Sequence, residues 1–80
     1  MPTSALARSV RFDEEMMHVE LSDGRTLSVP LIWFPALHAA TPQQREKCRI
    51  GAGGRGLHWP ELDEDLSIAG LMAGVDQQAA

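Results

Sequence analysis

The sequence predicts a small α+β domain: a mostly antiparallel sheet, made of an N-terminal hairpin or meander plus one later strand, with two or three short helices. Three observations predict it. Apolar and polar residues alternate from Val10 to Val29 around an Asp-Gly turn, helix-start signals stand at Pro35 and at Thr41-Pro42, and Ile68, Leu71, Met72 and Val75 repeat at helical spacing. The order read from these signals is three strands, two helices, a strand and a last helix.

Val10 and Phe12 alternate with Arg11, and Met17, Val19 and Leu21 alternate with His18, Glu20 and Ser22, the period-two pattern of half-buried strands. Leu27 and Val29 continue it after Ser22-Asp23-Gly24-Arg25, so residues 16–29 read as a hairpin in which Gly24 supplies positive φ. On that pattern His18 faces solvent. Pro30 cannot donate to a ladder and ends the strand. Pro35 suits the first turn of a short helix that ends near Ala39, with Trp33, Phe34, Leu37 and Ala40 on one apolar face and Trp33 in the core. Thr41-Pro42-Gln43-Gln44 has the composition of a capping box, and the helix it opens is expected to run to Gly51 with Arg45, Lys47 and Arg49 toward its partially negative end.

Gly51, Gly53, Gly54 and Gly56 make a flexible connector, and Leu57 and Trp59 then alternate with His58 as an edge or bent strand before Pro60. Ser67 is the expected N-cap of a last helix ending at Gly74. One domain spans 1–80, with flexible ends at 1–8 and 76–80.

An 80-residue chain buries only about 60–65% of the surface its unfolded form exposes, so a large internal catalytic cleft is not expected. A core that small calls for reinforcement, and Cys48 is the sole cysteine, which rules out an internal disulfide and leaves a homodimer or a partner as the reinforcement. Neither a secretory apolar core nor a run of membrane-spanning length occurs, so the cytoplasm is the expected compartment, without a membrane partner. The net charge of −4 disfavours an isolated nucleic-acid-binding domain. Charge is unevenly placed: residues 41–60 carry Arg45, Lys47, Arg49 and Arg55 against Glu46, a local balance of +3, whereas Glu61, Asp63, Glu64, Asp65 and Asp76 follow without a base. Either the fold brings these halves together, or it leaves basic and acidic faces for partners.

Chemical signatures are weak. GAGGRG has dinucleotide-turn glycine spacing, but a helix precedes it and a Pro-containing strand follows, the reverse of the context that presents helical amides to a pyrophosphate. His58, Glu61, Asp63 and Asp65 fit no cation loop, so neither a metal nor another cofactor is expected. Cys48 sits in a basic segment that could lower its pKa, yet no serine or cysteine is marked as part of a nucleophile, base and carboxylate set, and the chain is read as a non-enzyme. Trp59 stands out instead. It precedes Pro60 and four acids in five residues, an aromatic anchor beside a charged rim.

The stretches LSDGRTLSVP (residues 21–30), WFPALHAATPQQR (33–45) and GLHWPELDEDLSIAGLMAG (56–74) resemble domain-of-unknown-function family 2442, a group of short bacterial proteins, over roughly residues 8–74. The resemblance implies an uncharacterised function. Family members are often encoded beside another small protein in toxin–antitoxin-like pairs, and some longer members continue into a helix-turn-helix domain, which these 80 residues do not contain.

The expected function is therefore protein interaction, as the antitoxin-like half of a pair. Trp59 and Leu62 would anchor a small, basic partner protein, and Glu61, Asp63, Glu64 and Asp65 would steer it. The alternative is nucleic-acid binding or transcriptional regulation through Arg45, Lys47, Arg49 and Arg55.

Overall fold

The computed structural model describes residues 5–79, with side chains through residue 74. Six strands and three α-helices follow one another: β1 (Ala7–Phe12), β2 (Met16–Leu21), β3 (Thr26–Pro30), a 3-10 turn (Leu31–Trp33), α1 (Pro35–His38), α2 (Pro42–Glu46), β4 (Arg49–Gly51), β5 (Gly56–Trp59), β6 (Glu64–Ser67) and α3 (Ile68–Ala79). The class is α+β, as expected, but the strands form two antiparallel three-stranded sheets, β1-β2-β3 and β4-β5-β6, rather than one.

The first sheet follows the alternation. Val19 pairs with Val10 and Leu27, and Met17 with Phe12 and Val29, so the apolar set shares one face. Gly24 closes the β2–β3 hairpin with φ +92° while the Leu21 amide donates to the Arg25 carbonyl. Residues 1–4 of the expected flexible N-terminal end lie outside the described residues, and residues 5–8 are not loose. Ala7 is buried in β1, and Leu6 exchanges bonds with Ser22, its amide donating to Oγ at 3.0 Å and its carbonyl accepting from the Ser22 amide at 2.8 Å.

The capping box forms as the sequence predicts. The Gln44 amide donates to Thr41 Oγ1 at 3.1 Å and the Thr41 amide donates to Gln44 Oε1 at 2.9 Å. The helix nevertheless stops at Glu46, with Lys47 as its C-cap, and Arg49–Gly51 form a strand instead of a last helical turn. The cause is β5. Leu57 and Trp59 are each about 1% exposed, so the strand carrying them needs hydrogen-bonded neighbours on both sides, and β4 and β6 supply them. Gly51 accordingly has an extended φ of −120° and is paired with Gly56.

The glycine-rich connector is a tight β4–β5 turn. Gly54, buried at φ +98°, permits it: a Cβ there would fall 2.7 Å from that of Leu6. At the far end Ser67 Oγ accepts from the Gly70 amide at 2.9 Å, the predicted N-cap, and α3 runs through Gly74 to Ala79. Gly74 lacks the positive φ of a C-terminal stop, so the helical residues after it continue the ladder. Val75 and the expected flexible end at 76–80 lie outside the residues whose side chains are described.

Both sheets, α1 and α3 contribute to one core, which joins Met17, Val19 and Val29 to Leu37, Leu57, Trp59 and Ile68. Trp33, expected in that core, is only half-buried at its margin, edge-on to Phe34 at 6.5 Å.

Candidate functional site

Trp59 leads the expected contact residues, and the fold places it inside. Alternation along β5 turns Trp59 and Leu57 inward while His58 points out, and Phe12 meets the indole edge-on at 6.4 Å. Its Nε1 donates to the Arg45 carbonyl at 2.9 Å, so the polar handle of the ring is satisfied internally. Trp59 is thus a core residue and not an exposed anchor. Leu62, half-buried, packs against the same core.

The acids divide. Glu61 accepts from Lys47 Nζ at 2.6 Å, an exposed pair that contributes at most about 1 kcal/mol. Asp65 bonds His58 Nδ1 at 2.5 Å across the β5–β6 pair. Asp63 occupies the left-handed region at φ +52° in the turn between β5 and β6, and its amide donates to Pro60. The carboxylates of Asp63 and Glu64 have no ion pair or hydrogen bond among the described residues. The acidic run is therefore a β-turn leading into an ordered strand, and its unneutralised charge lies at 63–64.

Two of the four residues of the basic set are engaged within the fold. Arg45 Nε donates to the Leu37 carbonyl at 2.8 Å and its Nη2 to that of His38 at 2.9 Å, so the guanidinium satisfies the C-terminal carbonyls of α1 and ties α2 to it. Lys47 is engaged by Glu61. Only Arg49 and Arg55 of the four stay exposed without an ion pair among the described residues. Through Lys47 and Glu61, the two oppositely charged halves of the chain meet inside one fold.

Cys48 is half-buried and packs against the core. Half-burial pushes its thiol up from 9.0 to about 11, outweighing the opposing effect of a backbone bond with His58, so desolvation overrides the neighbouring bases. No group of three or more metal-ligating side chains occurs among the described residues.

An arrangement missed in the sequence lies on the outer face of the first sheet. His18 bonds Ser28 Oγ through Nδ1 at 2.7 Å and Asp13 Oδ2 through Nε2 at 2.9 Å, leaving its side chain 15% exposed where a free surface histidine was expected. Asp13 also accepts from the Glu15 and Met16 amides, and these bonds, with that of His18 foremost, hold its carboxyl down at about 2. An ionised carboxylate can only accept, so His18 Nε2 is the donor to Asp13. The connectivity is that of a hydrolytic triad, but the Ser28 amide lies in the sheet plane. The Leu21–Arg25 bond fixes His18 and Ser28 as a non-hydrogen-bonded pair, which directs that amide to the free edge of β3 and not toward an oxyanion above Oγ. The signal was available: Ser28 is five residues beyond the Asp23-Gly24 turn centre, opposite His18.

The second sheet has an open rim at β6. The Ile68 amide donates to the Arg55 carbonyl, and in this register the parity makes Leu57–Leu66 and Trp59–Glu64 the hydrogen-bonded pairs. The amides of Asp65 and Ser67 and the Asp65 carbonyl therefore point away from β5. Beside that rim opens a crevice of about 260 Å³, walled by Trp33 and Phe34 and lined by Asp65, Leu66 and Ser67 of β6 and by Gly70, Leu71 and Gly74 of α3.

The model of a protein family of unknown function, DUF2442, matches residues 7–77. A crystal structure of a protein of unknown function from Rhodospirillum rubrum is 36% identical and superposes with a TM-score of 0.80, covering 90% of this chain and 89% of that one. An uncharacterized protein from Chromobacterium violaceum, solved by solution NMR, is 31% identical with a TM-score of 0.74, over 86% of this chain and 65% of that one. No curated protein matches. Among the described residues no helix is long and apolar enough to cross a membrane. With the family match spanning nearly the whole sequence and the same fold in two relatives, the chain belongs to the DUF2442 family.

Proposed function

We propose that this domain is a non-catalytic protein-interaction module of the cytoplasm, the antitoxin-like member of a two-protein pair, and that its contact surface is the β5–β6 hairpin. One observation carries the reading. After Trp59, Leu62, Glu61 and Asp65 are accounted for by packing and internal bonds, Asp63 and Glu64 remain unneutralised beside an open strand edge. Acids so placed steer a basic partner and raise its association rate more than its final affinity. The partner is a second kind of chain. In a homodimer joined at β6, Glu64 and Asp65 of the two copies would crowd into the same short ladder, where like charges repel.

Co-purification of the tagged chain from its host tests the proposal. A partner retained by the native chain should be lost or bound at least tenfold more weakly after Asp63→Lys with Glu64→Lys. Absence of any stable partner, or a partner indifferent to charge reversal, refutes it. Nucleic-acid binding is the weaker reading, because Arg45 and Lys47 are engaged and only Arg49 and Arg55 remain exposed and unpaired. It requires an affinity for DNA or RNA that falls steeply with salt and disappears on neutralising those two residues.

A further inference from the structure

We infer that the partner binds by strand addition: an extended segment with alternating basic and apolar residues pairs with the free edge of β6 and lowers apolar side chains into the crevice beside it. This rests on the protein-binding reading and specifies its mode.

Three features coincide at this edge. The Asp65 and Ser67 amides and the Asp65 carbonyl face outward, offering two donors and one acceptor to an incoming backbone. Trp33 and Phe34, half-exposed and set edge-on to each other, wall the apolar crevice, and Gly74 leaves room on its helical side. Asp63 and Glu64, which carry no internal ion pair, stand just before and at the first residue of β6, at one end of the edge that the incoming strand would follow. The edge supplies backbone bonds, the crevice selects for apolar residues at alternate positions, Asp65 on the opposite face of β6 favours lysine or arginine between them, and Asp63 and Glu64 add negative potential at the end of the edge. The same acids oppose a second copy of this chain as the occupant.

Gly74 provides a blocking substitution that the free fold should tolerate. A Cβ there meets nothing within 4 Å, and its φ is ordinary for a helix, so Gly74→Gln fills the crevice while improving local helix propensity. The probe is an acetylated seven-residue peptide alternating lysine and valine, titrated into the isotope-labelled full chain and followed by amide NMR. The expected result is saturable shifts at Asp65, Ser67 and Gly70, affinity that weakens between about 50 and 300 mM salt, and at least tenfold weaker binding to Gly74→Gln with its melting temperature no lower than that of the native chain. A glutamate–valine peptide should not bind.

Each of these results overturns the inference: no shifts at millimolar peptide, shifts centred away from β6, equal binding of the two peptides, or full affinity in Gly74→Gln. Concentration-dependent β6 shifts without peptide also overturn it, by giving the edge to a second copy. A native partner that co-purifies yet binds Gly74→Gln normally defeats strand addition alone, whereas absence of any native partner defeats the protein-binding reading beneath it.

Discussion

Replacing Trp59 by phenylalanine separates a core residue from a contact anchor. The indole is about 1% exposed, its Nε1 donates to the Arg45 carbonyl, and its ring meets Phe12 edge-on. Phenylalanine keeps most of the apolar volume but removes the donor. Leaving this part-buried carbonyl unpaired costs about 1 kcal/mol or somewhat more, and the smaller ring leaves a void whose cost adds to it. A total near 2–3 kcal/mol is a large share of the few kcal/mol that a core of this size supplies, and should lower the melting temperature by roughly 8–20 °C. Guanidinium unfolding followed by circular dichroism reads the loss directly. A change under about 0.5 kcal/mol, the range of ordinary surface substitutions, would refute the core assignment.

Further outcomes follow from the same geometry. Arg45→Met should destabilise the fold by about 1–3 kcal/mol by removing the two charge-assisted bonds that tie α2 to α1, and Arg45→Lys should recover only part of that; matched urea curves for the two variants check it. Asp13 has a folded pKa of about 2 against 3.8 when unperturbed, so its contribution is complete above 3.8 and fades as pH falls toward 2. Asp13→Asn should flatten stability across that acid window, measured as unfolding midpoints against pH. Cys48, raised to about 11, should react with iodoacetamide at pH 8.5 at least tenfold more slowly in the folded chain than in guanidinium, and equal rates would contradict its desolvation. A fluorophosphonate should leave Ser28 unlabelled, because its amide is directed along the sheet; stoichiometric labelling lost in His18→Ala would establish a nucleophile there.

The first hairpin was legible because strict alternation and an Asp-Gly turn fix register locally. The caps at Thr41 and Ser67 were legible for the same reason, each depending on a hydroxyl and an amide three residues away. What the sequence concealed depends on distant residues. Arg49–Gly51 became a strand because buried β5 required a neighbour, and Glu64–Ser67 concealed another within an acidic run whose alternation involves only half-buried residues. Trp59 was misplaced because its neighbours in sequence are charged while its neighbours in space are Phe12 and the Arg45 carbonyl. At the proposed site, the acids were visible in the sequence, but the open rim and crevice were not. They arise only when α3, β6 and the Trp33–Phe34 pair come together around one crevice.

Amide hydrogen exchange of the native chain with and without its co-purified partner tests the protein-binding hairpin most directly. Slowed exchange at the amides of Asp65 and Ser67, with the core strand β2 unchanged, is the predicted result. A partner that protects other surfaces and leaves those two amides as they were would contradict it.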